Sequence, residues 1–171
     1  YEDMPNSLID AFVAIEDSRY FEHPGFDVPR FAKAALENLK SKSFGQGGYT
    51  FTMQLVKNTY FQVDDQENST IAEKSVDRKV QEIWTALKLE KQIDKKQIFQ
   101  LYFNKLNFGG NIRGVQKAAQ YYFGKDAKDL SLGESALLTG IINRPNAYNP
   151  YENLDYATNR RNTVLDMMVY H

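Results

Sequence analysis

Apolar residues recur at three- and four-residue spacing along nearly the whole chain, and this periodicity restricts it to a mainly α fold. Residues 7–19 place Leu8, Ile9, Phe12, Val13 and Ile15 largely on one face. Asp27 followed by Pro29 predicts a second helix through about Lys40, with Phe31, Ala34, Ala35 and Leu39 turned inward. A short third helix is expected from Thr52 to about Tyr60. Three capping-box patterns mark later starts: Thr70 with Glu73, Asp94 with Gln97 in a looser version, and Ser131 with Glu134. Each precedes an apolar run, the first made of Val76, Val80, Ile83, Trp84 and Leu87. A helix from Ile112 to Phe123 would close on Gly124, Pro145 would end the Ser131 helix, and a last helix should cover about Asp155–Tyr170.

Strict alternation of β-branched residues never lasts more than a few positions, so strands are not expected. Ser41–Tyr49, rich in Gly and Ser, and Val63–Ser69, acidic and polar, read as exposed, mobile loops. No internal repeat or low-complexity tract is present. A chain of 171 residues suits one domain with room for a small subdomain.

Composition narrows the chemistry. The absence of cysteine removes disulfide scaffolds, thiolate nucleophiles and Cys-based zinc sites together. With 21 Lys+Arg against 22 Asp+Glu there is no global basic field to attract nucleic acid, so any anion site is local. No apolar run approaches the roughly 20 residues that span a bilayer. The chain starts at Tyr1 without an initiator Met, which reads as a domain cut from a longer protein with a membrane anchor upstream. Tyr20-Phe21, Tyr121-Tyr122-Phe123 and Tyr148 are aromatics suited to sugar faces or a lipid interface, although core packing is the plainer role for each.

Three segments carry chemistry. Glu16 and Asp17 fall at the end of the first helix, where the dipole disfavours negative charge; this suggests use rather than stability, with a solvated helix end as the equal alternative. Gly47-Gly48 enters a helix and offers free backbone N–H groups suited to an anion, with Thr50, Thr52, Gln54 and Lys57 as further donors; taken alone, a glycine before a helix is usually only a turn. Arg78 and Glu82 share a helix face; taken alone, such a pair is a surface salt bridge worth a few tenths of a kcal/mol. With two histidines in the chain a His metal site is not expected, and His23 reads as a loop-ordering residue.

In this order the segments resemble the motifs of the peptidoglycan glycosyltransferase (transglycosylase) domains of class A penicillin-binding proteins and monofunctional glycosyltransferases. Glu16–Gly25 is similar to ED-x-x-F-x-x-H-x-G, with Tyr20 at the Phe position. Gly47–Asn58 resembles GGSTITQQLVKN, and Arg78–Glu90 resembles RK-x-x-E-x-x-x-A-x-x-LE. Lys95–Gly109, with Tyr102-Phe103-Asn104 and Phe108-Gly109, resembles the fourth motif. Leu132–Pro150, with Glu134, Ala136, Leu137, Leu138, Pro145 and Tyr148, resembles the fifth, and Gly114–Lys125 is also similar to these enzymes. Tyr49 stands for Ser, Phe51 for Ile, Met53 for the first Gln and Gln100 for Glu; the Tyr49 and Met53 changes remove polar groups near the acceptor or donor.

The resemblance implies a lysozyme-like helical domain over residues 1–171, with a membrane-associated jaw at about 26–46 that mixes Phe26, Val28, Phe31 and Phe44 with Arg30, Lys33, Lys40 and Lys42. It implies polymerisation of lipid II into β-1,4 glycan with inversion, on the extracytoplasmic face of a bacterial membrane, in company with other cell-wall synthesis proteins and open to moenomycin-type inhibitors. Glu16 would be the general base, and Lys57 and Arg78 would neutralise the pyrophosphate leaving group. Glu82 would hold Mg²⁺ or Mn²⁺, or orient Arg78. Asp17, Tyr20, His23, Thr52, Gln54, Asn58, Lys79 and Asn104 would contact substrate. Two other readings stand beside it. A lysozyme-like hydrolase would have no use for Lys57 and Arg78 on a pyrophosphate; a degenerate wall-protein-binding domain rests only on the departures.

Overall fold

The computed structural model describes residues 1–41, 48–61 and 71–171. Its helices are α1 Asn6–Glu16, α2 Val28–Ser41, α3 Phe51–Tyr60, α4 Ile71–Glu90, α5 Lys95–Lys105, α6 Val115–Phe123, α7 Leu132–Ile141 and α8 Leu154–Tyr170, with a 3₁₀ turn at Ala127–Asp129. Among the described residues the only extended pairing is an isolated bridge between Asn107 and Arg113, so the mainly α expectation holds. The Thr70–Glu73 capping box and most of the two expected loops lie outside the described residues.

The chain divides into two compact units, Tyr1–Ser18 with Phe99–His171, and Arg19–Ile98. In the first unit α1, α7 and α8 pack together, with Ala11, Ala136 and Val164 fully buried and Ile15, Leu165 and Met168 against them. Small residues let the helices approach: a Cβ on Gly140 would come within 2.9 Å of Arg160 Cγ. Phe12, Phe99 and Phe103 add an edge-to-face cluster, with centroids 4.8 Å apart for Phe12–Phe103 and 4.5 Å for Phe99–Phe103.

Local signals set the helix ends in this unit. Ser131 and Glu134 form the full reciprocal capping box at the start of α7. Gly124 ends α6 in the left-handed conformation, at φ 63°. The helix expected from Ile112 begins instead at Val115. Ile112 is held in a turn, its N–H donating to Gly109 O and its carbonyl accepting from Phe108 N, because glycines at 109, 110 and 114 take positive φ and break the helical path.

In the second unit α3 packs on α4 through Met53, Val56 and Ala86, all fully buried, with Phe26, Tyr49, Phe61, Ile83 and Leu89 around them. Thr50 caps α3 by accepting from Met53 N, and its hydroxyl donates to Gly25 O at 2.7 Å. Gly25 must be glycine: φ is +110°, and a Cβ would stand 3.0 Å from the Ala86 carbonyl oxygen. Asp27 accepts from Arg30 N at the start of α2, and Asp94 and Gln97 exchange side-chain to backbone bonds at the start of α5, both as expected.

Two apolar faces depart from expectation. Leu39 on α2 is 77% exposed rather than inward, and Ala35 is exposed too. On α4, Val76, Val80 and Trp84 form an exposed stripe, while Glu82 and Ala86 point to the interior. Periodicity identifies a face but not what covers it.

Candidate functional site

The charged centre of the second unit is built by α3, α4 and the residue before the α3 cap. The α3–α4 packing brings Lys57, in the last turn of α3, and Arg78, Lys79 and Glu82, on α4, around the ring of Tyr49. The Lys79 ammonium lies 4.0 Å from the Tyr49 centroid and the Lys57 ammonium 5.1 Å from it. Lys79 also lies 5.6 Å from the Phe31 centroid. Arg78 Nε is 3.6 Å from Glu82 Oε1, an ion pair rather than a well-formed hydrogen bond.

Glu82 is fully buried, and neither of its oxygens makes a well-formed hydrogen bond among the described residues. An uncompensated buried carboxylate is strongly disfavoured, so the cations around it are part of how it is tolerated. The electrostatics show the crowding. Burial first, then the charge and nearness of Glu82, push the Tyr49 phenol up to about 12. Burial lowers Lys79, with Lys57 adding to the fall and Glu82 opposing it. Among the described residues three cations against one carboxylate leave the cluster net positive, which suits a polyanionic ligand.

The glycine pair expected to offer N–H groups is only half described. Gly47 lies outside the described residues, and Gly48 has φ +85° and packs on Phe31, 3.2 Å from where its Cβ would be. Gln54 is half-buried on α3 and Asn58 is exposed.

Other residues expected to contact substrate are committed inside this unit. Tyr20 is fully buried; its hydroxyl donates to Lys95 O at 2.7 Å, its ring meets Phe51 edge-on, and Lys95 Nζ sits 4.3 Å from its centroid. Thr52 is fully buried, its hydroxyl donating to Glu90, which also pairs with Lys95 at 2.8 Å. His23 is buried, and its Nδ1 accepts from Gly25 N. These contacts hold the loop that carries Tyr20 and the start of α3 in place.

In the first unit, Glu16 is the last residue of α1 and half-buried; Asp17 follows it as the C-cap, fully buried. Tyr102, buried beneath them, is pushed well above the ordinary tyrosine range, first by burial and then by the charges of Glu16 and Asp17. Asn104 is exposed on α5.

Among the described residues no three His, Cys, Asp or Glu side chains gather as a metal-binding group. Among the described residues Glu82 is the carboxylate of the charged cluster, so they offer a divalent ion a single anionic ligand there. That fits an ion arriving with phosphate oxygens and water, the usual surroundings of Mg²⁺, and not a protein cage.

The family model described as Transglycosylase matches residues 1–169. The chain belongs to the transglycosylase family. Penicillin-binding protein 1A of Vibrio cholerae is 45% identical over 98% of this chain. The proteins of that name from Streptococcus pneumoniae and Pseudomonas aeruginosa are 43% and 40% identical over 97% and 99% of it. The chain covers 19%, 22% and 20% of those relatives, so it spans about a fifth of their length. No described helix of this transglycosylase domain is long and apolar enough to cross a membrane. One member of its charged cluster went unrecognised in the sequence: Tyr49 read there as a lost serine, and no local pattern signals that two lysines from different helices meet over its ring.

Proposed function

We propose that this transglycosylase domain polymerises lipid-linked disaccharide–peptide into β-1,4 glycan during bacterial cell-wall synthesis. The observation that carries the reading is the cluster of Lys57, Arg78 and Lys79 around the buried Glu82, since a lipid pyrophosphate leaving group needs cations and a hydrolase acting on finished glycan does not. Glu16 takes the proton of the acceptor sugar 4-hydroxyl as that oxygen bonds to the donor anomeric carbon. The anomeric bond to pyrophosphate breaks with its electron pair on the leaving oxygen, and the α-linked donor is inverted to a β linkage. Arg78 offers a planar fork to a phosphate, and Lys57 and Lys79 act as point charges.

Glu82 sets the position of Arg78 and is the residue that would hold Mg²⁺ or Mn²⁺ together with the pyrophosphate. Such an ion adds charge neutralisation at the leaving group. The domain works at a membrane surface, where the exposed Val28, Leu36 and Leu39 of α2, interspersed with Lys33 and Lys40, suit anionic lipid headgroups.

The test is glycan synthesis from purified lipid-linked disaccharide–peptide, in detergent or bilayer, by wild type and Glu16→Gln, with and without Mg²⁺ or Mn²⁺. Long glycan from wild type alone is expected. Cleavage of preformed glycan, or no product from a folded wild type, overturns the reading.

A further inference from the structure

Two ammonium groups that repel one another share one aromatic ring in this domain. Lys57 belongs to α3 and Lys79 to α4, and Glu82 is the carboxylate of their cluster among the described residues. Both nonetheless lie within cation–π range of Tyr49, at 5.1 Å and 4.0 Å. Tyr49 is itself immobilised. It directly precedes Thr50, whose side chain caps α3 and bonds to Gly25 O, and it packs against Met53, Val56 and Ala86.

A fixed ring with a negative π face can hold two long, flexible side chains at defined positions before any anion arrives. Lysine side chains otherwise lose considerable rotamer freedom when they clamp a ligand. We infer that Tyr49 is the positioning residue of the anion site, its ring pre-ordering Lys57 and Lys79 to receive the pyrophosphate of the donor. Tyr49 acts through the two lysines and is not itself a catalytic residue. The inference rests on the assignment of this cluster to the pyrophosphate. What the ring contributes is its π face, which phenylalanine shares and an aliphatic side chain of similar bulk does not.

The experiment measures inorganic pyrophosphate binding by calorimetry, and the KM and kcat of glycan synthesis, for wild type, Tyr49→Phe, Tyr49→Leu and Lys57→Ala, with melting temperatures for all four. Tyr49→Phe should bind pyrophosphate within about threefold of wild type, and Tyr49→Leu about tenfold more weakly. KM for the lipid-linked donor should rise in parallel in Tyr49→Leu while kcat changes less. Equal binding by the Leu and Phe variants, whether both retained or both lost, overturns the inference, since the first makes Tyr49 mere packing and the second assigns the effect to the hydroxyl. Pyrophosphate binding that ignores Lys57→Ala overturns the pyrophosphate reading itself. Binding that needs Lys57 but not an aromatic at 49 overturns only the role of Tyr49.

Discussion

Arg78 and Glu82 sit one helical turn apart on α4 with Nε and Oε1 3.6 Å from each other, the arginine side chain 41% exposed and the glutamate fully buried. The pair is therefore asymmetric. Water can compensate Arg78 when its partner is lost, whereas Glu82 depends on its neighbours. Stability and function should separate along that line.

Arg78→Lys keeps a positive charge but loses the planar fork. Because the arginine is partly solvated, folding stability should change by less than about 0.5 kcal/mol. The KM for donor should rise about tenfold as the bidentate phosphate contact is lost. Denaturant unfolding and steady-state kinetics on the same preparation check both halves.

Glu82→Ala removes the buried carboxylate and leaves a cavity beneath three cations. A loss of about 1–3 kcal/mol in stability is expected, below the usual cost of breaking a buried pair because Arg78 reaches water. Glu82→Gln keeps the volume and should lose less, while reducing any stimulation by Mg²⁺ or Mn²⁺. Urea midpoints and metal titrations of activity distinguish the two.

Gly25→Ala places a methyl against the Ala86 carbonyl at 3.0 Å in a backbone of φ +110°, and should cost about 2–3 kcal/mol. Gly124→Ala, at φ +63° with nothing within 4 Å, should cost about 1 kcal/mol from backbone strain alone. Thermal melts of the two variants side by side measure the difference.

Alkaline pH should expose Tyr49. Its phenol is raised from 10.0 to about 12, so the folded state binds its proton more tightly than the unfolded chain. The stability this contributes is fully present below pH 10.0 and is lost as pH rises through about 12. Lys79 has the opposite sign: its lowered value makes stability rise as pH climbs from that value towards 10.5. Unfolding midpoints for wild type should fall relative to Tyr49→Phe above pH 10, and a constant difference across that range would contradict the burial of the phenol beside Glu82.

The helices were legible where the cause is local. Ser131 with Glu134, Asp94 with Gln97, Asp27 before α2 and Gly124 after α6 each act within a turn of chain, so they appear in the sequence and again in the hydrogen bonds. Ile112 shows the limit: it belongs to an apolar run, yet the glycines around it turn the chain out of a helix until Val115.

Burial was not legible in the same way. Tyr20, Thr52 and His23 carry polar groups in a motif-like run, and only the packed unit shows those groups committed to Lys95, Glu90 and Gly25. Val76, Val80 and Trp84 have the spacing of a core face and stand exposed, while the charged Glu82 on the same helix is inside. By itself the sequence determined that the chain is mainly helical, where most helices start and stop, and which charges recur in a transglycosylase pattern, because those properties depend on neighbours in the chain. The tertiary structure alone decided which face of α4 is covered and that Lys57 and Lys79 meet over Tyr49, because those depend on which helix packs against which.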